Sequence, residues 1–309
     1  MKIIGLITTK DRVKLFERAL QSAFAQTRKL DNLIIVSDSL SDNKMTEKHL
    51  AVKCGAQFIE NKYAHNYAGS LNSAIHYILE MELFIENNYN DIYIAILDDD
   101  DVWLTNYIEE CEKTLHGEYF VVSGLIYCTE ENKKELSIPD NLTIDSFLKG
   151  NPHIQGTNTF VKLSTLLRAG LFDENMSSTT DRDIFVRIML LNPTYTVCKK
   201  HLAEINACNT RERITNDKQK KADGLRKFYY KYKGYMSEHV EQTFFQRTQK
   251  LFRIDRAEIE NIPSAIRPLR RKFSAERYSD KLVIGFIATD YELGLRLLEQ
   301  LIELHRKDT

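Results

Sequence analysis

An α/β fold built on a mainly parallel sheet is predicted by three features of the sequence. Short apolar runs of strand length alternate with amphipathic helical segments. Each early run ends in a loop of polar residues, which is where open α/β sheets bind ligands. The stretch 91–103, DIYIAILDDDDVW, places four consecutive carboxylates, Asp98, Asp99, Asp100 and Asp101, at the end of what reads as a buried strand. Adjacent carboxylates repel one another, and all-oxygen ligands of this kind suit a hard divalent ion, Mg2+ or Mn2+, which would also hold a phosphate-bearing substrate. The alternative is an acidic turn that only caps a helix following Trp103.

In chain order, 3–8 reads as a strand. After the polar turn Thr9, Lys10, Asp11, Arg12, the spacing of Phe16, Leu20, Ala23 and Phe24 predicts a helix with one apolar face. Residues 33–36 form a second strand closing on Ser37, Asp38, Ser39, Leu40, Ser41 and Asp42, a run of turn formers. A shorter strand is expected around Phe58 and Ile59. Gly69 then opens a helix whose Leu71, Ala74, Ile75, Ile78 and Leu79 recur at helical spacing, delivering the chain to the strand at 92–97. This order gathers residues 8–12, 38–42 and 98–101 at one edge of the sheet.

The chain has 309 residues, and its 43 basic side chains nearly balance 44 acidic ones, so overall charge gives no argument for a nucleic-acid binder. Cys54, Cys111, Cys128, Cys198 and Cys208 include no Cys-x-x-Cys pair, which argues against a disulfide framework or a zinc site and for reduced thiols. The apolar start is too brief for a signal peptide, and no later apolar run is long enough to span a bilayer, so a cytoplasmic protein is expected. Neither Gly-x-Gly-x-x-Gly after the first strand nor a Gly-Lys-Ser/Thr loop is present. A dinucleotide or P-loop site would therefore lack its backbone cradle, and a nucleotide would be held by side chains and metal.

ITTKDR, IIVSDSLSD, NYAGSLNSAI, ILDDDDVW, AGLFDE and TDRDIFVRI follow one another in the order seen in family-2 glycosyltransferases of the GT-A fold. The chain resembles these inverting, nucleotide-sugar-dependent enzymes from about residue 3 to residue 215. The resemblance implies a GT-A, Rossmann-like domain over 1–215, donor contacts from Thr8, Lys10, Arg12, Asp38, Asn66, Gly69, Asn72, Asp98 and Asp99, and a metal held by Asp100 and Asp98. Asp38 could accept hydrogen bonds from a base N–H or a ribose hydroxyl, or could simply hold an Asx turn. The family's Asp-Asp-Gly-Ser is Ser37, Asp38, Ser39, Leu40 here, so its first Asp and its Gly are missing. Asn66 reads equally as a helix cap. In TDRDIFVRI the resemblance makes Asp181 the catalytic base and places Thr180 where relatives carry Glu. Ile184, Ile188 and Leu191 would face the core, leaving Asp181 on an exposed first turn whose helix amides keep it ionised near neutral pH. The alternative is that Asp181 or Asp183 only caps the helix. His201 sits too early to match the family's late metal-binding His and reads as a structural histidine. Arg211 and Arg213 are candidates for the donor diphosphate, with solvated surface charge as the alternative. Since the only Trp is Trp103, the Gln-x-x-Arg-Trp signature of processive synthases is absent, and transfer of one or a few sugars is implied.

A basic helical region or linker is expected over 216–280, where Lys218, Lys220, Lys221, Arg226, Lys227, Lys231 and Lys233 mix with Phe228, Tyr229, Tyr230, Tyr232 and Tyr235. Such a mixture can meet anionic lipid headgroups at a membrane surface, a polyanionic acceptor or RNA, or can be a solvated helix face, and no specific nucleic-acid partner is expected. Residues 281–309 echo the beginning of the chain, with Gly285 in register with Gly5 and Thr289 with Thr9. A second GT-A-like unit is expected to begin there, and its orphan apolar face is expected to dock on the first domain or on a second copy in a homo-oligomer. The expected activity is metal-dependent inverting transfer of a single sugar from a nucleotide-diphosphate sugar, a UDP-sugar, to a hydroxyl of a glycan or other acceptor. The alternative is a non-catalytic GT-A module that binds a nucleotide sugar or glycan.

Overall fold

The computed structural model describes residues 1–85, 91–207 and 217–260. The amino-terminal half runs β1 (Lys2–Thr9), α1 (Val13–Phe24), β2 (Asn32–Ser37), α2 (Asn43–Lys53), β3 (Gln57–Glu60), α3 (Tyr67–Ile85), β4 (Ile92–Asp98), β5 (Val102–Trp103) and α4 (Tyr107–Thr114). It continues with β6 (Phe120–Cys128), β7 (Lys133–Glu135), α5 (Ile144–Lys149), a 3-10 turn at Gly156–Asn158, β8 (Thr159–Lys162), α6 (Leu163–Arg168), α7 (Thr180–Leu190) and β9 (Tyr195–Asn206). Three helices follow: α8 (Lys218–Tyr232), α9 (Glu238–Phe252) and α10 (Arg256–Glu260).

One sheet has the order β3-β2-β1-β4-β8-β6-β9-β5, with β7 paired to β6. Pairing from β3 through β2 and β1 to β4 is parallel, as strand-helix alternation requires. Beyond β4 the sheet becomes mixed: β8 is antiparallel to β4 and β6, whereas β6 and β9 are parallel. The parallel strands are apolar on both faces because helices cover both. Ile4, Leu6, Ile34, Val36, Ile94 and Ile96 face α3, α5, α7, α8 and α9. Their alternating neighbours Ile3, Ile7, Leu33, Ile35, Ala95 and Leu97 face α1, α2 and α4.

The acidic run does not cap a helix directly after Trp103. Val102 and Trp103 instead form β5, antiparallel to β9 through Val102–Glu204 and Trp103–Ala203, and the helix begins only at Tyr107. Trp103 is fixed by its indole N–H, which donates to the Thr157 carbonyl at 2.7 Å, and by stacking on Tyr107 at 4.7 Å between ring centroids. A buried aromatic with its polar atom satisfied anchors the strand end that carries the carboxylates.

The described part of the basic region shares the main core. Phe228, Tyr229 and Tyr232 of α8 and Phe244 and Phe245 of α9 are buried in the cluster that also holds Phe147 of α5 and Ile184 of α7. Phe228, Tyr229 and Tyr232 therefore fill the interior, whereas Tyr230 is partly buried and Tyr235 is exposed. Among the described residues no helix is long and apolar enough to cross a membrane. Cys54, Cys111, Cys128 and Cys198 are free thiols. Residues 281–309, where the repeat was expected, lie outside the described residues, as does Cys208.

Candidate active site

Parallel register brings the first loop and the acidic run together, because Thr8 of β1 stands beside Asp98 of β4 and Thr9 beside Ser37 of β2. Arg12 reaches across this edge and grips Asp99, with Nη2–Oδ1 at 2.5 Å and Nε–Oδ2 at 3.1 Å, while its Nη1 lies 3.7 Å from Asp100. Burial pushes Asp99 up to about 7; Arg12 offsets part of that, and the charges of Asp100 and Asp98 add to it. Asp101 is held internally by the Thr157 hydroxyl at 2.8 Å and the Asn206 amide at 3.0 Å. Burial first, then Asp100 and Asp98, raise its pKa well above the carboxylate range. One carboxylate oxygen from each of Asp98, Asp100 and Asp101 lies within 4.8 Å of the others. This all-oxygen set fits a hard divalent cation. Asp101 was not among the expected ligands, and it is the member most committed to the protein.

Asp38, at the end of β2, is buried and saturated. It accepts from Lys10 Nζ at 2.7 Å and Asn61 Nδ2 at 2.8 Å, and its Oδ1 lies 2.7 Å from His65 Nδ1. Burial alone would raise its pKa, but the hydrogen bonds from Lys10, Asn61 and His65 outweigh that and hold it below the ordinary value. Behind Asp38, the fully buried Glu47 of α2 accepts from Ser37 Oγ at 2.6 Å, Ser39 Oγ at 2.9 Å and Thr9 Oγ1 at 3.3 Å. Ser39 Oγ in turn accepts from the Asp11 amide at 2.7 Å. Glu47 thus ties the loops after β1 and β2 into one surface. The low amphipathicity of NKMTEKHLAVK gave no sign that this Glu points inward.

Asn66, Gly69 and Asn72, expected to face the donor, are engaged within the protein. Asn66 caps α3, its Oδ1 accepting from the Gly69 amide at 2.9 Å and its Nδ2 donating to the Glu174 carbonyl at 2.8 Å. A Cβ at Gly69 would run into the Ala64 carbonyl oxygen and lie 2.8 Å from the Ala64 nitrogen, so glycine here permits backbone packing. The Asn72 amide exchanges bonds with the Phe172 main chain at 2.9 and 3.0 Å and donates to Glu174 Oε1 at 2.8 Å. These residues clamp the AGLFDE segment to α3, and no side-chain donor of Asn72 is left for a sugar or phosphate oxygen.

Asp181 stands on the first turn of α7, half-buried, near enough to Asp98 for their charges to interact, and both act on the Tyr67 hydroxyl. The expectation that helix amides keep it ionised at neutral pH is corrected: burial and the Asp98 charge push it up to about 7, against the opposing pull of the Gly156 amide and Lys221. The buried Tyr67 hydroxyl faces Asp98, Asp181 and Asp101, and burial followed by those carboxylates raises its pKa well above the usual phenol value. Asp183 points the other way. It is fully buried, with Arg187 Nη2, Lys231 Nζ and the Tyr232 hydroxyl each at 2.7 Å, and these partners more than offset burial and depress its pKa. One helical turn therefore carries a carboxylate within reach of the Asp98 charge and a structural one.

Four non-glycine residues with positive φ border these segments: Asp11 at 54°, His153 at 63°, Leu171 at 58° and Thr179 at 64°. Each costs of order 1–3 kcal/mol and persists only where surrounding packing imposes it. His201 has a structural contact, its Nε2 donating to the Leu136 carbonyl at 2.8 Å, and its Nδ1 lies 3.4 Å from Glu135. Arg211 and Arg213 lie outside the described residues.

This geometry agrees with relationships to known proteins. A Rickettsia felis protein described as an uncharacterized glycosyltransferase is 24% identical over 184 residues, covering 57% of this chain and 29% of the relative. A Rickettsia bellii protein of the same description is 26% identical over 190 residues, covering 57% and 26%. The chain thus spans under a third of the length of these curated relatives. Among solved structures, S. aureus TarS 1-349 in complex with UDP-GlcNAc superposes with a TM-score of 0.61 at 12% identity, over 93% of this chain and 81% of that one. The mannosyltransferase PcManGT from Pyrobaculum calidifontis, in complex with GDP-Man and Mn2+, gives 0.52 at 13% identity over 98% and 80%. The family model for glycosyl transferase family 2 matches residues 6–173, from the middle of β1 through the acidic run to the segment clamped by Asn72. That match spans more than half of the sequence, including the loops after β1, β2 and β4, and with its GT-A fold the chain belongs to glycosyl transferase family 2.

Proposed function

We propose that the chain transfers a single sugar from a nucleotide-diphosphate sugar, a UDP-sugar, to a hydroxyl acceptor with inversion at the anomeric carbon, in glycan or polysaccharide biosynthesis in the cytoplasm. The observation that supports this reading is that the Asp98–Asp100–Asp101 cluster and Asp181 approach the same buried Tyr67 hydroxyl. One end of this site is suited to a diphosphate and the other to a proton acceptor. Thr8, Lys10, Arg12 and Asp38 would line the nucleotide side, a reading supported by Asp38 being fixed by its three partners and Arg12 by Asp99.

Asp98 and Asp100 would hold Mg2+ or Mn2+, with Asp101 and Asp99 keeping the run in place. When bound, the ion neutralises charge on the diphosphate. Asp181 takes the proton from the acceptor hydroxyl as that oxygen bonds to the anomeric carbon; the bond from that carbon to the diphosphate breaks, and nucleoside diphosphate leaves with the electron pair. No covalent sugar-enzyme intermediate is needed. The ligands named for the two solved neighbours, UDP-GlcNAc for one and GDP-Man with Mn2+ for the other, support the donor class.

The test begins with a thermal-shift screen of nucleoside diphosphates with and without Mn2+, since a ligand that binds only the native state must raise its stability. Calorimetry on Asp100→Ala is expected to show loss of the Mn2+-dependent part of that binding. Release of nucleoside diphosphate in the presence of acceptor supports the enzyme, whereas binding without turnover by any donor and acceptor pair supports a non-catalytic binding module.

A further inference from the structure

Lys221, in the first turns of α8, is 92% buried, with a relative exposure of 8%. Among the described residues its ammonium has no hydrogen-bond acceptor and no carboxylate at ion-pair distance; its close neighbour is the Phe252 ring, 4.5 Å from Nζ to centroid. A lysine side chain this deeply buried, with no carboxylate partner, is costly to keep charged unless an anion or water meets its ammonium. The charges that act on it are Asp181, which favours its charged form, and Arg182, which opposes it.

Arg182 adds a second buried cation. Its guanidinium donates to the Phe147 carbonyl at 2.8 and 3.0 Å and the Leu148 carbonyl at 3.1 Å, and it stacks 4.2 Å from the Phe228 ring centroid. Its partners are neutral, so its charge is uncompensated. Arg247 of α9, packed over Gly150, disfavours the charged forms of Arg182 and His153. Arg182 thus acts on Lys221 and Arg247 acts on Arg182, and among the described residues Asp181 is the carboxylate whose charge favours the Lys221 ammonium.

The helix carrying Lys221 is fixed rigidly to the catalytic segment. Ser177 Oγ donates to the Lys220 carbonyl at 3.1 Å and to Asp223 at 2.7 Å, Lys227 donates to the Asn175 carbonyl at 2.8 Å, and Tyr232 donates to Asp183. At Gly224, where any Cβ would run into Ser178 Oγ and approach the Ser178 main chain at 2.8 Å, α8 packs directly on the segment preceding Asp181. The backbone that carries Lys221 therefore keeps a fixed position beside the segment leading to Asp181.

We propose that Lys221 forms an anion subsite on the acceptor side of Asp181, so that the acceptor carries a phosphate or carboxylate close to the hydroxyl that is glycosylated. The proposal rests on the reading of Asp181 as the acceptor end of the cleft. Lys221 supplies a point charge with three donors, which suits either anion.

The test titrates inorganic phosphate, and acetate in parallel, into the whole chain already saturated with nucleoside diphosphate and Mn2+, so that the donor's own phosphate contacts are filled. Wild type is expected to bind at least one of the two anions, and which one it binds separates a phosphate from a carboxylate acceptor. Lys221→Met is expected to bind that anion at least tenfold more weakly and to melt no lower than wild type, and Lys221→Arg to recover most of the affinity, while the nucleoside diphosphate affinity of both variants stays at the wild-type value. Absence of binding by wild type, or equal binding by Lys221→Met, overturns the proposal. If the nucleoside diphosphate itself does not bind, the donor reading fails, and the anion titration is read separately on the same chain.

Discussion

Arg12 and Asp99 form a two-pronged ion pair that links the loop after β1 to the tip of β4, with prongs of 2.5 and 3.1 Å. The pair fixes the direction of the acidic run without involving Asp98, and Arg12 also lies near Asp100. Removing the guanidinium leaves Asp99 buried without its cation, which is more costly than never having had the pair. Arg12→Gln is expected to lower unfolding free energy by about 1–3 kcal/mol, less than for a wholly buried pair because the Arg12 side chain is 37% exposed. Arg12→Lys keeps the charge but loses the fork and should recover only part of the loss. Equal denaturant midpoints for wild type and Arg12→Gln would show that Asp99 is satisfied some other way.

Asp183 gives a second prediction, this time about stability and pH. Its folded pKa is depressed by Arg187, Lys231 and Tyr232 against the opposing effect of burial. A depressed carboxylate contributes stability that is present above its unfolded pKa, near 3.9, and is lost as pH falls through the lower folded value. Asp183→Asn should therefore cost about 3–5 kcal/mol at neutral pH, because two cations are left without their buried partner. The penalty should shrink in acid below about pH 4. Chemical denaturation of both proteins at neutral and acid pH checks it, and a penalty that is the same at both would rule out the linkage.

At Gly69 the prediction is steric. The Ala64 main chain occupies the space a methyl group would need, and the Asn66 cap that starts α3 depends on the same turn. Gly69→Ala is expected to destabilise by about 1–3 kcal/mol through overpacking. It should also loosen the AGLFDE segment, which is clamped through Asn66 and Asn72. Hydrogen exchange at residues 169–174 reads that loosening directly, and protection equal to wild type would confine the effect to α3.

How much of this was legible in the sequence depended on whether a residue's neighbours were local. The runs at 3–8, 33–36 and 92–97 could be read because alternate residues face two cores, each covered by helices whose own spacing is visible. The acidic run and Asp38 stood out because charge at the end of a buried strand needs an explanation. Asn72, Glu47 and Lys221 were misread or missed because their partners lie on other segments: Phe172, Ser37 and Phe252. Lys221 resembled its solvated neighbours in a lysine-rich run until α9 was seen to cover it. The choice between Asp181 and Asp183 likewise depends on where α8 docks, since Lys231 and Tyr232 claim Asp183 and leave Asp181 to the cleft.

The last prediction concerns Asp181 itself. As a base it must be deprotonated to accept the acceptor's proton, so transfer should rise with pH through its folded pKa. Burial, the largest cause, and Asp98 raise that value to about 7. A divalent cation on Asp98 offsets the second cause but not the first, which places the acid limb of kcat/KM above the ordinary carboxylate value near 3.9 and no higher than about pH 7. Below the limb, transfer should fall about tenfold per pH unit, as for any single essential base. Asp181→Asn keeps the shape of the side chain and should retain nucleoside diphosphate and Mn2+ binding while losing transfer by at least about a hundredfold. Asp183→Asn should instead lose stability, because its carboxylate is already spent on Arg187, Lys231 and Tyr232. A pH–rate limb near 4, or near wild-type transfer by Asp181→Asn with its true acceptor, would mean that the proton goes elsewhere. Tyr67 is a poor substitute, since burial and the surrounding carboxylates keep its hydroxyl protonated.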